Sequence, residues 1–315
     1  MDKYYVGIDT SAYTTSLAAI DERSNIVLDL REILRVKRGQ KGLRQQEAIF
    51  QHINNLPTLI ERMTKELDVS KIQTISCSIK PRNMRESYMP VFIVGKGQAF
   101  VLSKILDVEY KEFSHQEGHI SAGMLDNDIK DLKSFMSLHI SGGTTELLMV
   151  HNQEKGFKID IIGGSLDLSV GQLIDRIGVG VGINFPCGKA MDRISSTGNP
   201  LDLNVPINIK DSTWFNLSGM ENYFKSFIKT NKYAIEDIFA TLFYSIAFFI
   251  DKILSNSCIQ YGMKNVLITG GVSANTIVRG YLETQLRKKD INIHFPRREL
   301  CTDNGVGIAY AGKLK

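Results

Sequence analysis

The sequence predicts an α/β protein built from two similar halves with a phosphate-binding cleft between them, and three observations carry that expectation. Two apolar hairpins with Gly/Ser/Thr tips lie far apart in the chain, a third β-rich run ends in Gly270-Gly271, and long helical periods fill much of the rest. Phosphate oxygens need several converging N–H and O–H donors, which Gly-rich turns and Ser/Thr hydroxyls supply without steric blockage. One such tip alone reads as an ordinary β-turn; the repetition points to a duplicated fold.

Taken in order, residues 4–10 are β-rich, 11–14 form a small polar tip, and 16–21 resume the apolar run. A helical period follows over 46–67. The second hairpin has apolar arms at 135–140 and 146–150 around Ser141-Gly142-Gly143-Thr144-Thr145. Another helical period spans 234–255, and its uncharged stretch 238–250, bounded by Asp237 and Asp251, is shorter than the ~20 residues that cross a bilayer, so it reads as a buried helix. The β-run 265–269 leads through Gly270-Gly271 into a helix expected from Ala274, and 291–295 is extended. Actin, Hsp70 chaperones and sugar kinases share this duplicated plan, the ASKHA fold. The expected halves are 1-130 and 131-303, with a C-terminal helix 304-315 returning to the first.

Length and composition agree with two folded domains. The chain has 315 residues, 43% hydrophobic and 23% charged, which excludes fibrous and disordered classes. Lys plus Arg exceed Asp plus Glu by 38 − 34 = 4, a balance that permits a nucleotide or nucleic-acid partner without demanding one. Cys77, Cys187, Cys258 and Cys301 are widely separated with no C-x-x-C pair, so a zinc ribbon or disulfide framework is not expected and a cytoplasmic location is. Residues 1–5 lack the basic and apolar regions of a signal peptide.

The chemistry-bearing residues begin with His115-Gln116-Glu117-Gly118-His119. On a helix, at ~100° per residue, the two imidazoles share a face and can share a metal. A third ligand must come from elsewhere, and Asp303 in Cys301-Thr302-Asp303-Asn304-Gly305 is a candidate; two His and one carboxylate leave open positions on Fe(II) or Zn(II). The competing reading is a helix with two surface or capping histidines. An H-E-x-x-H peptidase is disfavoured, because Gln116 holds the Glu place and Glu117 lies ~200° around the helix from His115.

These residues resemble the Gcp/YgjD/TsaD family, the tRNA threonylcarbamoyladenosine transferases once described as O-sialoglycoprotein endopeptidases. The His115–His119 segment is similar to the family's H-x-x-G-H, and residues 301–304 reproduce its C-T-D-N motif. Together they imply the metal triad His115, His119 and Asp303. Ile140-Ser141-Gly142-Gly143-Thr144-Thr145-Glu146-Leu147 resembles V-S-G-G-H-T-E-L, whose turn binds the phosphate side of a nucleotide. Gly270-Gly271-Val272-Ser273-Ala274-Asn275 resembles G-G-V-A-A-N and implies that Asn275 meets the nucleoside. Asp175-Arg176 and Pro186-Cys187-Gly188-Lys189-Ala190-Met191-Asp192-Arg193 resemble the segments that imply ribose or base contacts by Asp175, Gly188 and Asp192. Carboxylates suit a ribose diol and Gly lets a base lie against backbone; Asp175 pairing on a helix surface and Asn275 capping a helix are the structural alternatives.

The resemblance implies transfer of the threonylcarbamoyl group from threonylcarbamoyl-AMP to N6 of the adenosine beside the tRNA anticodon. It implies one divalent metal (Fe or Zn) and an adenine nucleotide (ATP or threonylcarbamoyl-AMP), with or without Mg²⁺. Its implied partners are tRNA, a TsaB-type paralogous subunit and a TsaE-type ATPase, and no membrane. Basic stretches 37–41 and 287–289 are candidates for tRNA phosphates, or simply solvated surface.

The chain also departs from the family. Tyr13 and Thr14 stand where G-I-E-T-S-C-D-E-T carries its acids, Thr144 replaces a histidine, and Leu168 and Gln172 replace Asp and Glu. The segment Lys80-Pro81-Arg82-Asn83-Met84-Arg85-Glu86 replaces a G-P-G-L-x-G turn. Loss of groups that would orient Mg²⁺, water or the amine is expected to reduce turnover more than binding, and Asp9 and Glu146 are the acids that could take over. No catalytic residue is assigned. The alternatives to transfer onto tRNA are a catalytically impaired nucleotide-binding paralogue serving as a regulatory or scaffold subunit, and a carbamoyltransferase for another acceptor.

Overall fold

The computed structural model describes residues 3–36, 42–84, 86–209 and 213–315. Its first sheet is built from β1 (Tyr4–Thr10), β2 (Thr14–Asp21), β3 (Ile26–Ile33), β4 (Ile72–Lys80) and β5 (Glu109–Ser114), interleaved with α1 (Gln45–Glu66), α2 (Phe92–Ile105) and α3 (His115–Met124). The second half contains β6 (Ser134–Ile140), β7 (Thr145–Asn152), β8 (Phe157–Ser165), α4 (Val170–Gly180) and α5 (Gly188–Ser195). It continues with β9 (Asn208–Ile209), β10 (Trp214–Asn216), α6 (Ser218–Ile228), α7 (Ile235–Tyr261), β11 (Asn265–Thr269), α8 (Thr276–Arg287) and β12 (Asn292–His294). Helix α9 (Gly305–Leu314) closes the chain.

The duplication is written in the strand order. The first sheet runs β3-β2-β1-β4-β5, and the second contains β8-β7-β6-β11-β12 with β10 and β9 added beyond β8. In each, the first three strands form an antiparallel meander and the last two join in parallel: β1 pairs antiparallel with β2 and parallel with β4, as β6 does with β7 and β11. Parallel neighbours need crossover connections, which is why helices separate β4 from β5 and β11 from β12.

Each half has its own apolar core. Val6, Ile8, Leu17, Leu56, Leu59 and Ile75 fill the first, and Leu138, Leu147, Phe215, Phe239, Phe243 and Ile246 the second. Full burial of such side chains stabilises by about 1.5–3 kcal/mol each before chain entropy is counted. The uncharged stretch 238–250 lies in the N-terminal part of α7. At 27 residues α7 has the length and hydropathy to cross a membrane, yet most of it is buried in the protein, which matches the buried-helix reading. The helix after Gly270-Gly271 starts at Thr276 rather than Ala274, because Asn275 is extended and its side chain accepts from the Val278 amide as an N-cap; a 3₁₀ turn precedes it.

A further cluster joins the halves, with Ala18, Ile20 and Ile120 packed alongside Phe135, Leu148, Leu267, Val306 and Ala309. Here α9 approaches its neighbours at backbone distance. A Cβ on Gly7 would lie 2.2 Å from the Gly305 carbonyl oxygen, and one on Gly307 would lie 2.0 Å from that of Gly118. Glycine alone permits both contacts, and they seat the start of α9 against β1 and α3.

Gly307→Ala is therefore expected to destabilise the protein by about 1–3 kcal/mol through overpacking against backbone. Urea denaturation measures this as a lowered midpoint, and an unchanged midpoint would contradict the contact.

Candidate metal and nucleotide site

Helix α3 starts where it does because Ser114 and Glu117 cap it reciprocally: Ser114 Oγ accepts from the Glu117 amide, and Glu117 Oε2 accepts from the Ser114 amide at 2.7 Å. His115 thus opens the first turn and His119 follows one turn later on the same face, while Glu117 is committed to the cap. Asp303 arrives from the segment before α9, whose N-cap Asn304 accepts from the Gly307 amide.

The three side chains converge. His115 Nε2 and His119 Nε2 are 3.1 Å apart, and Asp303 Oδ1 lies 3.4 Å from the first and 3.6 Å from the second. Ligands at 2.0–2.1 Å around a tetrahedral ion are separated by roughly 3.3 Å, so these donors fit one divalent ion with positions left open. Among the described residues, they are the group of His, Cys and acidic side chains with such spacing.

The supporting shell was not foreseen from sequence. The fully buried Asp9 accepts from His115 Nδ1 at 2.9 Å and from Ser78 Oγ at 2.5 Å, which turns His115 Nε2 toward the ion position. Ser11 Oγ donates to Asp303 Oδ2 at 2.8 Å, leaving Oδ1 for the ion. His52 Nε2 holds the Ser11 carbonyl at 2.8 Å, and the His139 ring lies 4.7 Å from that of His119.

Charge is unevenly shared among these groups. Burial opposes protonation of His115, but the facing Asp9 and Asp303 outweigh it and hold its pKa well above the ordinary 6.5. Burial and the neighbouring His115 push His119 down, and burial with both histidines pushes His139 well below 6.5. Burial alone would raise Asp303, but hydrogen bonds from His115 and His119 hold it well below the usual carboxylate range.

The nucleotide candidates lie on the second half. Ser141 closes its turn by accepting from the Thr144 amide at 3.1 Å, while Gly142 and Gly143 face open space. Buried Ile140 precedes the turn, and Gly270 approaches so closely that a Cβ there would meet the Ile140 carbonyl at 2.4 Å. Asp175 on α4 accepts from the Cys187 amide at 2.8 Å, beside the open Gly188, and burial raises its pKa. Asp192 accepts from Asn275 Nδ2 at 2.9 Å and from the Thr276 amide at 3.0 Å. The capping alternative for Asn275 is thus realised, and Asp192 and Asn275 contact each other.

The two acids suggested as replacements are engaged. Asp9 supports His115, and Glu146 pairs with Arg82 at 2.5 Å and accepts from Gln116 at 3.3 Å. Loop 80–84 also reaches the second half through Asn83, which donates to the Phe157 carbonyl at 2.9 Å. Of the basic stretches, 37–41 lies outside the described residues, and Lys289 in 287–289 pairs with Asp251 at 2.7 Å. A cavity of about 520 Å³ is lined by Lys80, Lys111, Glu109, Glu112 and Phe157 among others, and by none of the triad. Its Lys111 pairs with Glu109 at 3.0 Å, and the triad rather than this cavity locates the chemistry.

The family model described as tRNA N6-adenosine threonylcarbamoyltransferase, TsaD, matches residues 30–310. A protein of that name from Thermotoga neapolitana is 26% identical over 314 residues, covering 98% of this chain and 93% of the relative. One from Sulfurihydrogenibium sp. is 29% identical over 317 residues, covering 98% and 89%. Among solved structures, HypF from T. kodakarensis superposes with a TM-score of 0.63 at 16% identity, covering 99% of this chain and 48% of that one. A ROK family glucokinase from Streptomyces griseus gives 0.54 at 8% identity, covering 99% and 98%. At such identities the structures speak to the fold alone, and they place it with the sugar-kinase and HypF group.

Replacing His115 and His119 together by Ala is expected to abolish metal uptake measured by elemental analysis, and Asp9→Asn to weaken it about 10–100-fold; parental stoichiometry in the double variant would reject the site. Metal must also displace the proton that His115 holds, whereas His119 and Asp303 are already deprotonated near neutrality. Affinity should therefore start to fall at a pH above 6.5 and drop about tenfold per unit below the His115 pKa. Chelator competition across that range measures the slope, and a flat profile would contradict the charge assignment.

Proposed function

The chain belongs to the TsaD family of tRNA N6-adenosine threonylcarbamoyltransferases, and we propose that it carries the threonylcarbamoyl group from threonylcarbamoyl-AMP to N6 of the adenosine beside the tRNA anticodon. The observation that supports this best is the convergence of His115, His119 and Asp303 with their Asp9 and Ser11 supports, a tridentate site with room for a substrate oxygen. A scaffold subunit has no need of such an arrangement, so the non-catalytic reading is less well supported.

A divalent ion there, iron or zinc, supplies a Lewis acid for a carbonyl or phosphoryl oxygen. The chain's own residues do the rest. Asp9 fixes the ring of His115, and Ser11 fixes the orientation of Asp303. The open turn of Ser141, Gly142, Gly143 and Thr144 after Ile140 offers amides and hydroxyls to the adenylate phosphate, with or without Mg²⁺. Asp175 and Gly188 receive the ribose and base, and the linked pair Asp192 and Asn275 closes that side. The exocyclic amine then forms the new C–N bond at the carbamoyl carbon as the bond to phosphate breaks, AMP leaves and the amine loses one proton. Tyr13 and Thr14 are neutral at pH 7, and Asp9 and Glu146 are engaged, so turnover below that of an acid-bearing relative follows.

tRNA is the substrate partner. We also expect a TsaB-type subunit and a TsaE-type ATPase. Phe50 and Ile53 on α1 and Ile93, Phe100, Val101 and Ile105 on α2 are exposed apolar side chains that a protein partner would cover. The four free cysteines accord with a reducing cytoplasm.

The test is incubation of the purified, metal-loaded protein with threonylcarbamoyl-AMP, unmodified tRNA and candidate partners, with mass spectrometry of the digested nucleosides. Modified adenosine is expected to form, and Asp303→Ala to lower its rate at least about 100-fold. Transfer at the parental rate by that variant would overturn the role given to the triad.

A further inference from the structure

We propose that Tyr13 and Phe185, one ring from each half, form the seat on which the acceptor base stacks while its amine is held at the metal triad; this rests on the transferase reading above. Tyr13 lies at the tip between β1 and β2, two residues from the Ser11 hydroxyl that holds Asp303. Phe185 lies on the connection from α4 to α5, two residues before Cys187, whose amide holds Asp175. Their ring centroids are 5.7 Å apart at 56°, so the pair spans the cleft between the metal side and the ribose side. Both rings are only partly buried and retain surface that a planar group can cover.

Burial, then the charges of Asp175 and Asp303, raises the Tyr13 pKa, which agrees with a position between these two acids. Its hydroxyl oxygen faces the Leu43 amide and would stand 3.2 Å from a Cβ on Gly42, so the phenol is braced at its far end and the ring is held in place. A neutral braced ring contributes little to phosphate binding and much to stacking.

The occupant follows from the layout. With the donor's ribose proposed at Asp175 and its acyl end at the triad, a ring that feels both Asp175 and Asp303 stands between the two donor ends, where the attacking amine has to arrive. An adenine inside an anticodon loop cannot bring N6 to such a centre while stacked on its neighbours. An aromatic seat compensates for the lost stacking and accepts the base by its π-face.

The test uses the metal-loaded full chain, together with the candidate partners, as the parent and as Tyr13→Leu, Phe185→Leu and Tyr13→Phe, with donor affinity, metal content and KM for tRNA measured for each. Each Leu variant is expected to raise KM for tRNA about tenfold, equivalent to about 1.4 kcal/mol, with donor affinity and metal content unchanged and Tyr13→Phe close to parent. Unchanged KM in both Leu variants overturns the seat. So does an equal loss of donor affinity, which would assign the rings to the donor's adenine, and so does a Tyr13→Phe defect as large as Tyr13→Leu. If the parent shows no transfer, the transferase reading fails separately. Binding of an anticodon stem-loop then decides the seat: about tenfold weaker binding when the acceptor position is abasic supports it, and equal binding overturns it.

Discussion

The approach of α9 to β1 and α3 at backbone distance is the constraint on which the site depends. Gly7 against Gly305 and Gly118 against Gly307 leave no space for a side chain. A helix held at ordinary side-chain separation would begin several ångströms farther from α3, and Asp303, two residues before α9, would miss the histidines. Fold and chemistry share one set of contacts here, because the residues that let α9 dock also bring the carboxylate into ligating range.

Once assembled, the triad is electrostatically crowded. Two imidazoles 3.1 Å apart cannot both hold protons cheaply, and the structure separates them: Asp9 and Asp303 favour a proton on His115, while His119 and His139 are kept neutral. A divalent ion held by His115, His119 and Asp303 would relieve the crowding by taking the place of the His115 proton. That account gives the fully buried Asp9 a role: its carboxylate holds the His115 ring and favours the proton there.

Much of this was legible in sequence. The repeated hairpin foretold the repeated strand order, and His115 with His119 foretold a shared face, because both rest on local periods of two and 3.6 residues. Asp9 was not legible as the support of His115, since an acid at the end of a β-run gives no hint of a partner 106 positions away. The Arg82–Glu146 pair was hidden for the same reason, as each residue is unremarkable until the halves are brought together. Asn275 illustrates the converse: its capping preference is local and visible, and the structure uses it, while its bond to Asp192 depends on how α5 meets α8.

The place of α9 in chain order also bears on how the molecule comes to exist. The first sheet is completed by a helix that follows the entire second half, and Ser11 meets Asp303 across 292 positions of sequence. Closing so long a loop is slow compared with forming either hairpin. The candidate metal centre therefore requires the whole chain, and a contiguous fragment ending near residue 130 would leave Gly7 and Ala18 without the helix that covers them. Metal retention thereby becomes a reporter of the fully threaded chain: a molecule whose halves have each collapsed separately would be compact and still empty-handed.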